Sequence, residues 1–323
     1  MPLRVGTDCS GIDAPIQALI NLKVPFVHVF STDTDVLCGE TIRANFCPQS
    51  LVVGPHADIT TRDVGLMESV DLYVCGFPCQ PFSKLGARMG FDDPRGVVFF
   101  GCLKYIRYHR PQFVVLENVK TLLTIDESRT WNRIISLLRD IPDYNFSHSV
   151  LDTKDFGVPQ SRRRLYIVGV RGGSFDFPTP LSTCPDVSDF LDDEIDESIA
   201  YEPRGSQFEN ALSLTSTLEE RGSVFVDILQ YRTISRIPQR GFTVATCILC
   251  TSYVWCVPKK RWATEKELLS LQGFPTDFRV TVPHHKFRKQ IGNAMSVNVL
   301  EHIFSRLLHL SPPEPLGPYA NSS

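Results

Sequence analysis

The segment VDLYVCGFPCQPFS, residues 70–83, contains the pattern that decides the fold class. Residues 70–75 form an apolar run with the length and composition of a buried β-strand. Gly76 and Pro78 then end the strand in a tight turn, which leaves Cys79 at its exit. Ligands bind at this edge of open α/β sheets, so the thiol is a candidate nucleophile. The alternative is an inert core cysteine, the more common state of a cysteine after a strand.

The composition is typical of a globular protein without a membrane anchor. The chain has 323 residues, of which 42% are hydrophobic and 21% are charged, enough for one large domain or two. It has no apolar run near the roughly 18 residues that span a bilayer, and no signal peptide at its N-terminus. Ten cysteines at irregular spacing indicate a reducing compartment. We expect an intracellular protein, in the cytoplasm if prokaryotic or from a phage, and in the nucleus if eukaryotic.

The N-terminal segment predicts the start of a Rossmann-type unit. Its elements are a strand at residues 4–8, a helix at 14–20 and a second strand at 24–30. Asp33 follows the glycine turn at Gly11 by 22 residues, where a carboxylate can accept hydrogen bonds from ribose hydroxyls. Asp13 stands where a second glycine would help to bind a pyrophosphate. A nucleoside ligand without phosphates therefore fits better than NAD.

Further strands bring a second reactive group to the same edge of the sheet. We predict that a short third strand ends at residues 57–59, that the nucleophile strand is the fourth, and that residues 112–116 form the fifth. The fifth strand delivers Glu117 and Asn118 at its exit, beside Cys79. A single glutamate there could be an ion-pair partner, but reactive groups at two neighbouring strand exits favour a catalytic role.

Basic residues near these strands are candidates for ligand contacts. Residues 84–96 combine three glycines with Lys84, Arg88 and Arg95, as expected of a loop that closes over a ligand, although a plain surface loop remains the alternative. Arg162 and Arg164 precede a strand at residues 165–170. Alternation places both on one face, where two guanidiniums can hold an anion or a carbonyl group.

The C-terminal part of the chain has a different texture. Glycines and prolines at residues 172–185 indicate a linker, and strand-like segments at 222–229 and 243–257 predict a smaller, β-rich lobe. Residues 186–220 contain 11 acidic residues and one basic residue, whereas residues 221–289 contain 12 basic and 4 acidic residues. A polyanionic partner would therefore meet this last third. The Cys247-x-x-Cys250 pair has no second pair at zinc spacing, so we predict no metal site.

The order of the motifs resembles that of the DNA (cytosine-5) methyltransferases over residues 4–308, nearly the whole chain. Five motifs match in sequence and in order. They are Gly-Phe-Pro-Cys-Gln-Pro-Phe-Ser at 76–83, Glu-Asn-Val at 117–119, Gln-x-Arg-x-Arg at 160–164, Leu-Gln-Gly-Phe-Pro at 271–275 and Gln-Ile-Gly-Asn at 290–293.

The resemblance implies a Rossmann-like S-adenosylmethionine-dependent α/β fold with a smaller, β-rich target-recognition domain. The catalytic domain would comprise residues 1–177 and 287–323, and the recognition domain and hinge 178–286. The implied catalytic residues are Cys79 as nucleophile, Glu117 at the cytosine ring nitrogen, and Arg162 and Arg164 as their helpers. The implied cofactor residues are Cys9, Ser10, Gly11, Ile12, Asp33, Thr34, Asp58, Ile59, Gly76, Pro78, Asn293 and Ala294.

Two positions depart from the family pattern. The first motif usually reads Phe-x-Gly-x-Gly, and here it reads Cys9-Ser10-Gly11-Ile12-Asp13. The aromatic residue that often follows the ribose carboxylate is Thr34 in this chain. Both aromatic walls of the cofactor pocket are therefore reduced, which bears on cofactor affinity rather than on the type of reaction.

The expected partner is double-stranded DNA, bound by a monomer. Long donor side chains that suit base edges cluster at residues 232–240, and lysines that suit phosphates follow them. The DNA-contacting residues that we predict are Gln80, Ser83, Arg95, Arg232, Arg236, Gln239, Arg240, Lys259 and Lys260. Solvated arginines without a partner are the alternative. Two competing functions are a tRNA cytosine-5 methyltransferase and a catalytically silent DNA-binding relative. A third is a nicotinamide dehydrogenase, which the missing glycine fingerprint disfavours.

Overall fold

The computed structural model describes residues 1–78, 97–192 and 206–311. The described residues form two compact units. The first comprises the described part of 1–151 together with residues 163–179 and 300–311, and the second comprises residues 152–162 together with the described part of 180–299. Residues 152–162 and 287–299 thus lie in the second unit, whereas the sequence placed both ranges in the catalytic domain. The functional division into catalytic and recognition domains stays a prediction.

The first unit is built on a mixed sheet. Seven strands of the described chain form it, in the order β3-β2-β1-β4-β5-β7-β6. Their bounds are Leu3–Asp8 (β1), Phe26–Asp33 (β2), Ser50–Val53 (β3), Leu72–Cys75 (β4), Phe113–Val119 (β5), Tyr144–Asp152 (β6) and Arg163–Arg171 (β7). The pairs β2–β3, β1–β2, β1–β4 and β4–β5 are parallel, and β7 is antiparallel to β5.

Helices alternate with the parallel strands of this unit. They are Ala14–Asn21 (α1), Val36–Asn45 (α2), Val97–His109 (α3) and Arg129–Arg139 (α4). The apolar stripe at Cys102, Leu103 and Ile106 is fully or almost fully buried and packs in a core with Tyr73 and Leu116 from the sheet. The predicted strand–turn–helix opening is confirmed, because β1 ends at Asp8 and α1 begins at Ala14.

The strand order reverses at β1, because β2 lies on one side of it and β4 on the other. Crossovers to opposite sides leave a crevice at the carboxyl ends of these strands, which is where open α/β sheets bind ligands. The turn at residues 9–13 and the exit of β4 at Gly76 both lie at this edge. The site candidates on these loops therefore share one edge of the sheet.

The second unit has a small antiparallel sheet and several helices. Its strands in the described chain are Phe225–Asp227 (β8), Val254–Cys256 (β9) and Arg261–Trp262 (β10), in the order β10-β9-β8. Its helices are Ser206–Glu220 (α5), Glu265–Ser270 (α6), His284–Asn293 (α7) and the start of Val297–Leu307 (α8). Trp255 is fully buried at the centre, and its indole N–H donates to Thr215 Oγ1 of α5 at 3.1 Å.

Several elements differ from the sequence-based predictions. The third strand is Ser50–Val53 and not a strand ending at residues 57–59, because Gly54 has a φ of 77° and starts a 3₁₀ turn that carries Pro55. The fifth strand extends to Val119, so Glu117 lies inside it rather than after it. In the second unit, α5 has 15 residues, whereas each strand has two or three. The second unit therefore contains more helix than the strand-like segments of its sequence predicted. No helix of the described ranges is long and apolar enough to cross a membrane.

Candidate active site

Glu117 and Arg164 form a pair on two adjacent strands. The antiparallel register of β5 and β7 sets Val119 opposite Arg164 and Glu117 opposite Tyr166. Arg164 Nε lies 3.4 Å from Glu117 Oε1, and each side chain is only 11% exposed. A carboxyl group and a guanidinium are thereby held together in a largely desolvated place, where charge interactions are stronger than in water.

Asn118 connects this pair to the exit of the nucleophile strand. Its side chain is buried, and its amide donates to the carbonyl oxygen of Phe77 at 2.9 Å. Its Oδ1 accepts from the backbone N–H of Val119 at 2.9 Å. The amide thus fixes the backbone that leads to Pro78, which is half-buried like Gly76. Cys79 itself lies outside the described residues, as do Gln80, Ser83 and Arg95.

Arg162 has a different environment from Arg164. Its side chain is buried in the second unit, where its guanidinium donates to three backbone carbonyls. These are the carbonyls of Ile248 at 2.5 Å, Gly292 at 3.1 Å and Ala294 at 2.6 Å. The guanidinium therefore ties together two segments of the second unit that are distant in sequence.

The turn after β1 has the features of a nucleoside cradle. The backbone N–H of Gly11 donates to Asp33 Oδ2 at 2.8 Å, and the N–H of Asp35 donates to Asp33 Oδ1 at 2.8 Å. These two backbone contacts hold the Asp33 carboxylate in place beside the Gly11 turn, and a carboxylate oxygen can accept more than one hydrogen bond. Gly11 has a φ of 57°, and a Cβ built on it would meet nothing within 4 Å, so there is open space beside this backbone. A carboxylate acceptor next to an open glycine fits the ribose of S-adenosylmethionine.

The other predicted cofactor residues flank this turn or lie elsewhere. Cys9 is half-buried with a φ of 49°, Ser10 and Ile12 are buried, and Thr34 is exposed after β2. Asp58 accepts from the N–H of Thr60 at 2.9 Å, and Ile59 is buried against α3. Asn293 and Ala294 belong to the second unit, where Asn293 is exposed at the end of α7 and Ala294 is buried.

A buried ion pair under the same edge was not predicted. Asp8, fully buried at the end of β1, receives both Nη atoms of Arg62, one of them at 2.6 Å from Oδ1. Tyr73 donates to the same carboxylate at 2.6 Å and Thr32 at 2.5 Å. The carboxylate is thus fully hydrogen-bonded, which is what makes a buried charge tolerable. Because 54 residues separate Asp8 from Arg62, no local pattern could have revealed the pair.

Two cysteines near the nucleophile strand are unsuited to be nucleophiles. Cys75 and Cys102 are fully buried, and their sulfur atoms are 3.2 Å apart. Burial raises the pKa of Cys75 well above its ordinary value. Because the thiolate is the reactive form, the Cys75 thiol is inert at neutral pH, and burial keeps the Cys102 sulfur away from ligands.

The predicted DNA-reading residues are on the surface of the second unit. Arg232, Arg236, Gln239 and Arg240 are all exposed, as are Lys259 and Lys260. Arg232 Nε donates to the carbonyl of Leu229 at 3.1 Å, and Lys260 lies 3.6 Å from Glu219. Sequence reasoning missed Asp227, which is buried and organises the segment before this cluster. Its carboxylate accepts from Gln230 and Ser252, each at 2.6 Å.

Comparison with known proteins places this arrangement in one family. The family model described as C-5 cytosine-specific DNA methylase matches residues 8–309. The chain belongs to the C-5 cytosine-specific DNA methylases. It is a DNA cytosine-5 methyltransferase.

Individual relatives agree with this. The type II methyltransferase M.NgoBI of Neisseria gonorrhoeae is 33% identical over 283 residues, which cover 86% of this chain and 85% of that protein. The type II methyltransferase M.HaeII of Haemophilus aegyptius is 32% identical over 291 residues, 87% of this chain and 86% of that protein. This cytosine-5 methyltransferase therefore matches these relatives over most of their length.

Solved structures confirm the fold of this methyltransferase as Rossmann-like. The Dnmt2 methyltransferase of S. pombe has a TM-score of 0.69 and 20% identity, covering 95% of this chain and 98% of that one. The EhMeth methyltransferase of Entamoeba histolytica has a TM-score of 0.68 and 17% identity, covering 96% and 98%. At these identities the likeness concerns the fold alone.

Proposed function

We propose that this chain transfers a methyl group from S-adenosylmethionine to carbon 5 of a cytosine flipped out of double-stranded DNA, through a covalent bond between Cys79 and carbon 6. The observation that carries the proposal is the desolvated Glu117–Arg164 pair, with Asn118 hydrogen-bonded to the backbone two residues before Cys79. The family description and the names of the bacterial relatives support DNA as the substrate. We also propose that the enzyme acts as a monomer.

Each of the proposed catalytic groups answers a chemical need. Carbon 5 of cytosine is too weakly nucleophilic to take a methyl group unaided, and addition of the Cys79 thiolate at carbon 6 makes the ring enamine-like. Once carbon 5 carries the methyl group, loss of its proton re-forms the double bond between carbons 5 and 6 and expels Cys79 as the thiolate. Negative charge then builds on the ring, and Glu117 in its protonated form stabilises it at the ring nitrogen. Arg164 holds the ring carbonyl and, through its 3.4 Å contact, the orientation of Glu117. The reacting carbon is inaccessible in a stacked duplex, so the base must leave the helix.

The cofactor residues have separate tasks in this proposal. Asp33 accepts hydrogen bonds from the ribose, and Gly11 leaves room for the ligand to approach the backbone. Bound S-adenosylmethionine supplies an electrophilic methyl group. The other residues that we assign to the pocket are Cys9, Ser10, Ile12, Thr34, Asp58, Ile59, Gly76, Pro78, Asn293 and Ala294.

Arg162 supports the reaction indirectly. Its guanidinium is occupied by the carbonyls of Ile248, Gly292 and Ala294, so we assign it the positioning of Ala294 and its neighbours rather than contact with the base. The dipoles of these three carbonyls stabilise the positive charge of the buried guanidinium.

The substitution of Cys79 tests the chemistry. Cys79→Ala should abolish methyl transfer and leave DNA binding intact, while the control Cys47→Ala, which alters an exposed cysteine, should behave like wild type. Wild type should form a covalent adduct with DNA that contains 5-fluorocytosine, because fluorine blocks the final proton loss. Methyl transfer by Cys79→Ala, or methylation of tRNA in preference to DNA, would refute the proposal.

We further propose that Arg232, Arg236, Gln239 and Arg240 read base edges, whereas Lys259 and Lys260 contact phosphates. The residues are exposed, and the buried Asp227 fixes the backbone just before the first of them through Leu229 N–H at 2.9 Å. Arginine and glutamine side chains match guanine and adenine edges in the major groove. Gln80, Ser83 and Arg95 would contact the DNA near the flipped base.

Separate variants distinguish reading from anchoring. Arg240→Ala should relax the methylated sequence, because it removes a base contact, whereas Lys259→Ala should weaken binding to all sequences and flatten its salt dependence. Bisulfite sequencing of DNA methylated by each variant gives the site profile, and binding titrations at several salt concentrations give the slope. An unchanged site profile for Arg240→Ala would contradict the assignment.

A further inference from the structure

A closed set of polar side chains lies behind the turn after β1. Asp13 is fully buried, with the left-handed dihedral angles φ 58° and ψ 47°. Thr7 Oγ1 donates to Asp13 Oδ1 at 2.7 Å, and Ser31 Oγ donates to Oδ2 at 2.6 Å. His28 Nε2 lies 2.6 Å from Ser31 Oγ and 3.7 Å from Asp13 Oδ2. A carboxyl group thus replaces the glycine of the family pattern and is linked to both strands that flank the turn.

The protonation states in this set follow from burial. Burial raises the pKa of Asp13 to about 7, while the hydrogen bonds from Ser31 and Thr7 oppose the rise. Burial also lowers the pKa of His28 to about 4, so the imidazole is neutral near pH 7. Since the Ser31 hydroxyl proton points to Asp13, the hydrogen bonding assigns the His28 proton to Nε2. Only Asp13 in this set therefore changes charge near neutral pH.

The elements that neighbour Asp13 carry the following charged groups. From β2, the negative charge of Asp33 raises the pKa of Asp13 further. Asp8, at the end of β1, is engaged by Arg62. The first turn of α1 carries no acidic residue. From α8, Glu301 reaches α1 at Asn21, where it accepts a hydrogen bond at 2.5 Å.

The link to Asp33 makes Asp13 sensitive to charge at the turn. Asp33 accepts the hydrogen bond of the Gly11 N–H, and Asp13 follows Gly11 by two residues in the same turn, so both carboxyl groups belong to this turn. The negative charge of Asp33 favours the protonated form of Asp13, and a cation bound at the same turn would favour the ionised form. By thermodynamic reciprocity, ionised Asp13 then favours the binding of that cation. A ligand without net charge at its sulfur would have no such effect.

We propose that Asp13 is a specificity-determining residue whose ionised form favours the sulfonium cofactor over its uncharged thioether product, so that cofactor and product are discriminated by charge. The inference rests on the cofactor assignment of the Gly11 turn made under the proposed function. Transfer of the methyl group as a cation leaves the sulfur neutral, so S-adenosylhomocysteine lacks the charge that would favour ionised Asp13. Binding of S-adenosylmethionine then releases a proton from Asp13, and product binding releases less.

Calorimetry of ligand binding tests this without measuring activity. Titrations in buffers of different ionisation enthalpy, between pH 6 and 8, count the protons released by each ligand. As the pH rises from 6 to 8, the Kd of S-adenosylmethionine should fall about fivefold more than that of S-adenosylhomocysteine. This factor corresponds to a charge interaction of about 1 kcal/mol. The sulfonium makes the α-amino group of S-adenosylmethionine more acidic than that of S-adenosylhomocysteine, so each ligand's own proton is accounted for by comparing its titration in wild type with the same titration in Asp13→Asn.

Variants assign the proton to one residue. Asp13→Asn preserves size and tolerance of the left-handed conformation, and it should remove the difference between the two ligands. Glu301→Gln removes another buried acid with a pKa raised by burial to about 7, and it should keep the difference. Ser31→Ala removes a hydrogen bond that lowers the pKa of Asp13, so its proton release should peak at a higher pH than in wild type.

The outcomes separate the inference from the proposed function. A ligand difference that persists in Asp13→Asn, or is missing from wild type, would overturn the role of Asp13 while leaving the cofactor assignment in place. If Asp13→Asn does not fold, an unshifted proton release in Ser31→Ala overturns that role. Failure of both ligands to bind at every pH would instead overturn the cofactor assignment and this inference with it.

Discussion

Arg162 and Arg164 are two residues apart, yet their guanidiniums have different partners. Arg164 lies in β7 and contacts Glu117 on β5, whereas Arg162 precedes the strand and holds three carbonyls of the second unit. The alternation of side chains along a strand predicts a shared face only while the strand continues. At the residue scale, the same side chain type therefore contacts a carboxyl group of the proposed active site at one position and holds backbone carbonyls at the other.

Substitution of Arg164 should affect chemistry more than binding. Arg164→Ala removes the contact to Glu117 and the donor to the ring carbonyl, so the single-turnover rate of methyl transfer should fall by about 10²–10³-fold. Arg164→Lys keeps the positive charge but loses the planar guanidinium, and its rate should lie between those of wild type and Arg164→Ala. Arg163→Ala, which alters the exposed neighbouring arginine, is the matched control and should stay close to wild type. Equal losses in the Arg163 and Arg164 variants would contradict the assignment.

At the element scale, α3 is placed by a glycine. Gly101 lies within this helix, and a Cβ built on it would be 2.5 Å from the backbone oxygen of Ile59. No real Cβ contact is that short, so the close approach of the helix to residues 58–59 requires glycine. Ile59 is one of the residues that we propose for the cofactor pocket, so the helix packing also positions a residue of that proposed pocket.

Gly101→Ala should destabilise the protein even though alanine favours helices. The gain in helix propensity is about 1 kcal/mol, and the clash with a backbone atom should outweigh it, for a net loss of about 1–2 kcal/mol. Affinity for S-adenosylmethionine should fall as well, because Ile59 must move. Urea unfolding and ligand titration measure the two effects. Lys104→Ala on the exposed side of the same helix should change neither, and a stabilised Gly101→Ala would refute the packing argument.

At the scale of the whole molecule, four buried groups set the pH dependence of stability. Burial raises the pKa values of Asp13 and Glu301 to about 7, from 3.8 and 4.5, and lowers those of His28 and His302 to about 4, from 6.5. Between about pH 4.5 and 6.5 the folded state holds two acid protons that the unfolded state lacks, so this contribution falls as pH rises. The unfolded state holds two histidine protons that the folded state lacks, so that contribution rises. The two contributions therefore oppose each other over this range.

Glu301→Gln should weaken the contribution of the buried acids to the pH dependence of stability and leave that of the histidines unchanged. With one acid proton fewer in the folded state, the free energy of unfolding should rise with pH more steeply than in wild type, by about 1.4 kcal/mol per pH unit between pH 5 and 6. Urea unfolding at several pH values, followed by circular dichroism, gives the slope. Glu68→Gln, at an exposed glutamate, is the control and should keep the wild-type slope. A wild-type slope in Glu301→Gln would contradict the linkage.

Much of the fold was predictable because its signals are local. The apolar runs that form β1, β4 and β7, the glycine turn at Gly11 and the stripe on α3 each lie within a few residues, and all were found from periodicity and turn residues. The third strand was misplaced because Ser50–Val53 is short and partly exposed, so its pattern is weak. Helix α5 was not predicted, because the acidic segment at residues 186–220, which contains it, was interpreted by its charge alone.

The sequence by itself determined the α/β class, the order of the motifs and, through them, the family. Those properties depend on residue identity and short spacing. Only the tertiary structure decided which arginine meets Glu117, that Arg62 neutralises Asp8, and that Asp13 is a buried carboxyl group linked to His28 through Ser31. Such partners are separated by up to 54 residues, and they meet because the sheet places β1 beside β2 and β4 and sets β5 against β7. Desolvation, which sets their charge states, is likewise a property of the packed molecule.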